Sequence, residues 1–157
     1  MRREDREIRD FSEIIRVLDR CDVIRLGIQG EEYPYVVPVS FGYAVEDGKL
    51  AIYFHGAVEG RKHDLLTQCN RVCVEADTFL GYMNTGHSYT ASYESVIGYG
   101  AAAVVTGAQA VRGVELLLQH CGFPTDTAQD CVAMPITKIY RIVLEQVTGK
   151  RRIAREK

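Results

Sequence analysis

Two adjacent cations, Arg61 and Lys62, stand where an apolar strand ending in Phe54 gives way to a helix through the glycine-containing loop 56–60. Such a loop leaves backbone N–H groups free at the helix start, where the positive end of the helix dipole also lies. Arg61 can hold a phosphate through two parallel hydrogen bonds, and Lys62 adds a compact charge. The stretch is therefore a candidate phosphate site. The same spacing fits equally well a surface loop followed by two solvated cations.

The elements that must position these cations follow from the hydrophobic pattern, which predicts about six strands and three short helices. Asp10 is expected to cap the first helix, with Glu13 completing a capping box. Residues 46–49 (EDGK) form a strong hairpin turn. Pro38 cannot donate to a sheet ladder, so it should mark an edge, a bulge or a point that faces a ligand. The predicted strands cover residues 23–28, 33–44, 50–54, 71–77, 89–105 and 136–147, and the predicted helices cover residues 11–20, 61–68 and 109–120.

Three segments do not fit a regular element in this pattern. Residues 79–87 are interpreted as an irregular excursion, residues 121–134 as a loop and residues 149–152 as a basic tail. Because the early strands follow one another through turns rather than helices, the pattern favours an antiparallel barrel with helices packed outside it. The predicted fold class is mainly β with flanking α, in a single domain over residues 1–157.

Composition excludes several classes of protein. The 157 residues are 46% hydrophobic and 25% charged, close to the average for a soluble domain. The net charge of −2 argues against a nucleic-acid partner, since such proteins normally carry a basic surplus. No apolar run is long enough to span a bilayer, and residues 1–6 carry too many charges for a signal peptide. We therefore expect a cytoplasmic protein with no membrane partner.

The cysteines and hydroxyls suggest no chemistry of their own. In a cytoplasmic protein the five cysteines are expected to be reduced thiols. Cys69 and Cys73 have no second pair or nearby histidine at the usual spacing for zinc, so no metal site is predicted. No nucleophile-elbow motif and no glycine-rich dinucleotide motif follows a strand. Covalent hydrolysis and a dinucleotide-binding fold are thus not supported.

Three motifs in order along the chain resemble one known family. These are residues 35–43 (YVVPVSFGY), 53–62 (YFHGAVEGRK) and 95–100 (SVIGYG). They are similar to the pyridoxamine 5′-phosphate oxidase-like flavoproteins, and within that family to the nitroimidazole-resistance (Nim-type) branch. Residues 1–3 and 147–151 resemble the same branch. The resemblance implies a split β-barrel homodimer that binds FMN at its interface.

The resemblance also implies which residues contact the cofactor. It places the FMN phosphate on Arg61 and Lys62, the pair already nominated for an anion. The remaining implied contacts are Val37, Pro38, Val39 and Ser40 along the isoalloxazine and ribityl groups, Phe54, His55, Gly56 and Ala57 at the border of the flavin, and Ser95, Ile97, Gly98 and Tyr99 approaching it from the partner subunit.

His55 is the candidate catalytic residue. The family pattern places it beside the flavin, where a neutral imidazole could donate a proton to a reduced product at physiological pH. The alternative is a histidine satisfied by a backbone carbonyl that only shapes the pocket. His63 is interpreted as a solvated helix residue, and neither His87 nor His120 has an evident partner.

The implied activity is that of an FMN-dependent oxidoreductase. Its flavin would take hydride from NAD(P)H or another donor and pass electrons to a small acceptor, such as a nitroaromatic of the 5-nitroimidazole type. One alternative is a flavin- or haem-binding protein that stores or senses its cofactor, with His55 or His87 as a haem ligand. Another is a pyridoxamine phosphate oxidase-like enzyme, although the basic tail lacks a recognisable substrate-phosphate motif.

Overall fold

The computed structural model describes residues 3–126 and 136–153. Within these residues the chain forms eight strands, three α-helices and one short 3-10 turn at Glu4–Arg6. The strands are β1 (Glu7–Ile8), β2 (Ile24–Ile28), β3 (Tyr35–Val39), β4 (Gly42–Glu46), β5 (Lys49–Ala57), β6 (Arg71–Asn84), β7 (Tyr89–Val105) and β8 (Thr137–Arg152). The helices are α1 (Phe11–Leu18), α2 (Arg61–Gln68) and α3 (Gly107–His120).

All strands belong to one antiparallel sheet in the order β3-β2-β6-β7-β8-β5-β4, with β1 added to β8. β3 and β4 lie at opposite ends of this order, yet only Ser40 and Phe41 connect them. A flat sheet would hold them about 29 Å apart, whereas so short a link spans at most about 11 Å. The sheet must therefore curl until its two edges approach each other at this link, which gives a barrel.

The barrel is not closed along its whole length. β4 begins at Gly42, opposite Tyr53 of β5, so the last residues of β5 pair with β8 alone. On the other side, β3 pairs with β2 alone. The edges therefore diverge at this end, and the fold is a split barrel, as predicted.

The apolar residues divide between two clusters. The larger fills the barrel and includes Leu26, Ile52 and Phe54, all at most 1% exposed, together with the apolar sides of α1 and α2. The smaller lies between α3 and the opposite face of β5, where Tyr53 is buried. No α-helix in the described part of the chain is long and apolar enough to cross a membrane.

Ion pairs connect α1 to the sheet. Glu94 on β7 is 3% exposed and is bound by both Arg20 and Arg151. Arg151 also donates to Glu13 on α1 at 2.9 Å. Asp10 caps α1 as predicted, accepting from the Ser12 N–H at 2.8 Å. The reciprocal half of the predicted capping box is not formed, because the Glu13 carboxylate is bound to Arg16 and Arg151 instead.

Three predicted segments differ from the structure. The strand predicted over residues 33–44 is two strands, because the chain turns from one sheet edge to the other between β3 and β4. The excursion predicted over residues 79–87 is instead the end of a hairpin, in which β6 continues to Asn84 and pairs with β7. The basic tail 149–152 belongs to β8. The loop predicted over residues 121–134 falls partly outside the described residues.

Candidate functional site

The start of α2 is left uncapped by its own sequence. Gly60 adopts φ 115° and ψ 170°, a region that only glycine occupies readily. A glycine at the cap position has no side chain to offer, and no side-chain cap bond is formed there. The first N–H groups of the helix are thus available to an external acceptor, beside Arg61 and Lys62.

The two cations reach to opposite sides of the barrel split. The Arg61 guanidinium lies 5.6 Å from the ring centroid of Tyr35 on β3. The Lys62 ammonium lies 5.3 Å from the ring centroid of Phe54 on β5 and donates to the His55 carbonyl oxygen at 3.2 Å. The start of α2 therefore fills the gap that the diverging sheet edges leave open.

Neither cation pairs with a carboxylate within residues 3–126 and 136–153. Among the described residues, nine of twelve arginines form an ion pair with a carboxylate, and Arg61 is not one of them. Lys62 forms no ion pair within the same residues, and burial lowers the pKa of its ammonium. Two adjacent cations at a helix N-terminus, without a counter-charge in the part of the chain that the structure describes, have the chemistry to bind an anion.

His55 is a neutral group beside this charge. Its side chain is only partly exposed and lies on the opposite face of β5 from Phe54. Partial burial and, to a smaller degree, the charge of Lys62 lower the pKa of its imidazole. His55 is therefore mainly unprotonated at neutral pH, with one ring nitrogen as donor and the other as acceptor.

A polar and aromatic cluster beneath Lys62 was not found from the sequence. Tyr140 of β8 stacks on Phe54 with ring centroids 4.8 Å apart and planes within 4°. The Tyr140 hydroxyl lies 3.0 Å from Nδ1 of His63, whose Nε2 lies 2.9 Å from the Lys138 ammonium. The interpretation of His63 as a solvated residue was wrong, because its ring contacts Tyr140 and Lys138. These partners lie 77 and 75 residues away in the sequence, so no local pattern indicated them.

The predicted residues of β3 lie along its free edge. Val37 and Val39 are half-buried and pack against the barrel core, while Pro38 and Ser40 are exposed. The prediction that Pro38 marks an edge is confirmed, since β3 is the edge strand beyond β2. A proline is tolerated there because no neighbouring strand requires its N–H.

Within one subunit, the site residues predicted on β7 do not lie beside those predicted on β3. Ser95, Ile97, Gly98 and Tyr99 are separated from β3 by β2 and β6. Gly98 faces inward, where an added Cβ would come within 2.5 Å of a Leu144 methyl carbon. This glycine therefore serves packing between β7 and β8, a reason that the sequence did not indicate.

Gly56 and Ala57, the last residues of β5, complete the predicted set. An added Cβ at Gly56 would lie 3.0 Å from Cε of Lys62 and 3.5 Å from Cε2 of Tyr140. The absence of a side chain at Gly56 thus gives Lys62 its place above the stack. Ala57 is exposed at the end of the strand, opposite Thr137.

These features match one protein family. The model of the family described as pyridoxamine 5′-phosphate oxidase matches residues 10–151, so this chain belongs to that family. The predicted family is confirmed. Comparison with curated proteins gives no match.

Solved structures share the fold. A putative 5-nitroimidazole antibiotic resistance protein from Bacteroides thetaiotaomicron is 24% identical, with a TM-score of 0.74 over 92% of this chain and 85% of that one. The flavocytochrome Anf3 of Azotobacter vinelandii is 17% identical, with a TM-score of 0.75 over 98% of this chain and 72% of that one. An FAD and heme binding protein of Mycobacterium smegmatis is 13% identical, with a TM-score of 0.76 over 95% of this chain and 74% of that one.

Proposed function

We propose that this chain binds FMN and is an oxidoreductase that passes electrons to a small acceptor. The observation that carries the proposal is the pair Arg61 and Lys62, which lies without a carboxylate partner among the described residues at the uncapped start of α2. Membership of the family and the flavin-binding proteins among the structural neighbours support a flavin as the group attached to the phosphate.

The residues present fit such a cofactor. Its phosphate would be held by the side chains of Arg61 and Lys62 and by the first N–H groups of α2. The exposed edge of β3, with Pro38 and Ser40, offers backbone groups and a flat apolar surface to the remainder of the molecule. When bound, FMN supplies the hydride and electron-transfer chemistry.

His55 is assigned the proton-handling role. Because its pKa is lowered, its imidazole is neutral at physiological pH and can donate a hydrogen bond from one ring nitrogen. The other nitrogen can accept a proton from solvent and return it to a reduced acceptor. The adjacent Lys62 favours release of that proton, since a positive neighbour disfavours the imidazolium.

We propose that the working protein is a homodimer with the cofactor at the interface. On the outer face of the sheet, Val36 is 60% exposed, Tyr99 53% and Ile97 37%. Association of two copies through this face would bury these side chains and satisfy the family's two-fold arrangement. It would also bring Ser95 and neighbouring residues of β7 to the β3 edge of the other subunit. Within one subunit, β2 and β6 separate β7 from β3.

The acceptor is proposed to be a nitroaromatic and the donor NAD(P)H. The first rests on the similarity to the Bacteroides protein described as a putative 5-nitroimidazole antibiotic resistance protein. The role of this chain's own residues would be to bind the acceptor beside the cofactor and, through His55, to supply a proton to the reduced product.

An absorbance spectrum of the freshly purified protein tests the proposal, followed by NADPH and then a 5-nitroimidazole in the absence of oxygen. We expect flavin bands that bleach with NADPH and return when the nitro compound is added. Bands that do not bleach with either NADPH or NADH would contradict the donor, and bleached bands that the nitro compound does not restore would contradict the acceptor. A Soret band would indicate haem instead. A colourless protein that takes up no added FMN would refute the proposal as a whole.

A further inference from the structure

Lys138, His63 and Tyr140 form a continuous chain of polar contacts below the candidate phosphate site. The Lys138 ammonium lies 2.9 Å from Nε2 of His63, and Nδ1 of His63 lies 3.0 Å from the Tyr140 hydroxyl oxygen. Tyr140 is only 2% exposed, so its hydroxyl is held by this contact rather than by bulk water. These contacts connect His63 of α2 to Lys138 and Tyr140, which are two residues apart on β8.

The Lys138 ammonium lies near both nitrogens of the His63 ring, 2.9 Å from Nε2 and 3.3 Å from Nδ1. An ammonium can only donate a hydrogen bond, so a ring nitrogen of His63 must accept from it. Lys138 and the Tyr140 hydroxyl together fix the position of the His63 ring.

The same tyrosine supports the side chain of Lys62. Its ring stacks on Phe54, and the Lys62 ammonium lies 5.3 Å from the centroid of that Phe54 ring. Gly56 leaves an opening beside both, since an added Cβ would lie 3.0 Å from Lys62 and 3.5 Å from Tyr140. A displacement of the Tyr140 ring would therefore shift the Phe54 ring and the Lys62 ammonium that lies over it.

We infer that His63, Tyr140 and Lys138 are positioning residues that hold Lys62 in place for the cofactor's phosphate. They touch neither the phosphate nor the flavin in this assignment, and they act only through Lys62. The inference rests on the proposed function, because it requires that Lys62 binds the phosphate of FMN.

Affinities of the FMN-free protein for FMN and for riboflavin separate this role from a general structural one, since riboflavin lacks only the phosphate. In Tyr140→Phe the stacked ring remains and no charge changes, but the anchor to His63 is lost. We expect FMN to bind about fivefold more weakly, the size of one hydrogen bond, while riboflavin binding is unchanged. Tyr53→Phe is the matched control, since it also removes a buried hydroxyl, the one bound to Glu46 at 2.7 Å. Its ratio of the two affinities should equal that of the wild type.

A second pair of variants keeps the test valid if Tyr140→Phe folds poorly. Lys138→Arg retains a donor for His63 and should keep the wild-type ratio of FMN to riboflavin affinity, whereas Lys138→Met should lower it. An equal loss for both ligands, or an unchanged ratio in both Tyr140→Phe and Lys138→Met, would overturn the inference. A wild-type protein that binds FMN no better than riboflavin would instead refute the proposed phosphate site itself.

Discussion

Two groups of charged residues lie at different ends of this barrel and are built in opposite ways. Around Glu94, a carboxylate that is 3% exposed is matched by Arg20 and Arg151, and Arg151 is shared with Glu13. At the start of α2, two cations rest on aromatic rings and have no carboxylate partner among the described residues. Within the described residues, the charges of the first group are paired and those of the second are not.

The difference indicates which group contributes to the fold and which to a ligand. A buried carboxylate that lost its arginines would be strongly destabilising, so the Glu94 group fastens α1 to β7 and β8. Lys62 instead has no counter-charge among the described residues, and its partial burial lowers the pKa of its ammonium. Such an arrangement is typical of a binding site, where an external anion supplies the missing charge.

The largest expected effect follows from removing both cations at α2. Arg61→Ala combined with Lys62→Ala should weaken FMN binding by about 4 kcal/mol, roughly 1000-fold, because two charge-assisted contacts are lost. The unfolding free energy of the FMN-free protein should change by no more than about 1 kcal/mol, because the lost cation–π contacts and the hydrogen bond to the His55 carbonyl are partly offset by the relieved desolvation of Lys62. Flavin titration and urea unfolding measure the two quantities.

Arg71→Ala is the control for the double variant. Arg71 is an exposed arginine just beyond the other end of α2, and the described residues give it no carboxylate partner. Its removal should leave FMN affinity unchanged. A double variant that retains full FMN affinity would mean that the phosphate lies elsewhere.

The Glu94 group should show the reverse behaviour. Glu94→Gln leaves two arginines without their buried counter-charge and should lower the unfolding free energy by about 3 kcal/mol. The folded fraction should bind FMN with wild-type affinity. Glu115→Gln, which breaks the exposed pair with Arg112 at 3.4 Å, is the matched control and should cost less than about 1 kcal/mol. Equal losses in the two variants would remove the distinction between the groups.

The smallest expected effect is a pH dependence that His55 imposes on stability. Its pKa in the folded protein is lowered by burial and by Lys62, below the value of about 6.5 in an unfolded chain. As pH falls through about 6.5, the unfolded state takes up a proton that the folded state does not, so the unfolding free energy falls. This loss ends once the pH is below the folded pKa.

His55→Ala removes that contribution. Urea unfolding at pH 7.5, 6.5 and 5.5 should show the wild type losing more stability on acidification than the variant. Identical pH profiles for the two proteins would show that the pKa of His55 is not lowered in the fold.

Short sequence patterns predicted the turns and helix starts, which depend on residues close together in the sequence. The hairpin at Asp47 and Gly48 forms as expected, with φ of 50° and 75° at the two turn residues. The start of α2 at Arg61 was predicted from the glycine loop before it.

The parts that were missed depend on distant partners. Residues 149–152 were interpreted as a basic tail that follows the strand predicted over residues 136–147. They instead continue β8, where Arg151 binds Glu94 and Glu13, two carboxylates that are distant in the sequence. Likewise, nothing near His63 in the sequence reveals Tyr140 or Lys138. Gly81 and Asn84 suggested a loop, yet each is paired with a residue of β7 across the β6–β7 hairpin.

The position of β8 in the sheet has a consequence for how the chain is made. β8 lies between β7 and β5, so in the described sheet the hairpin β4–β5 is hydrogen-bonded to the other strands through β8. During synthesis, β5 can pair with β4 at once, but it leaves the ribosome some 80 residues before β8, so its other edge has no strand to pair with in that interval. Closure over so long a separation makes folding slow. The nascent protein is therefore most exposed to aggregation and to chaperones in the interval before β8 emerges.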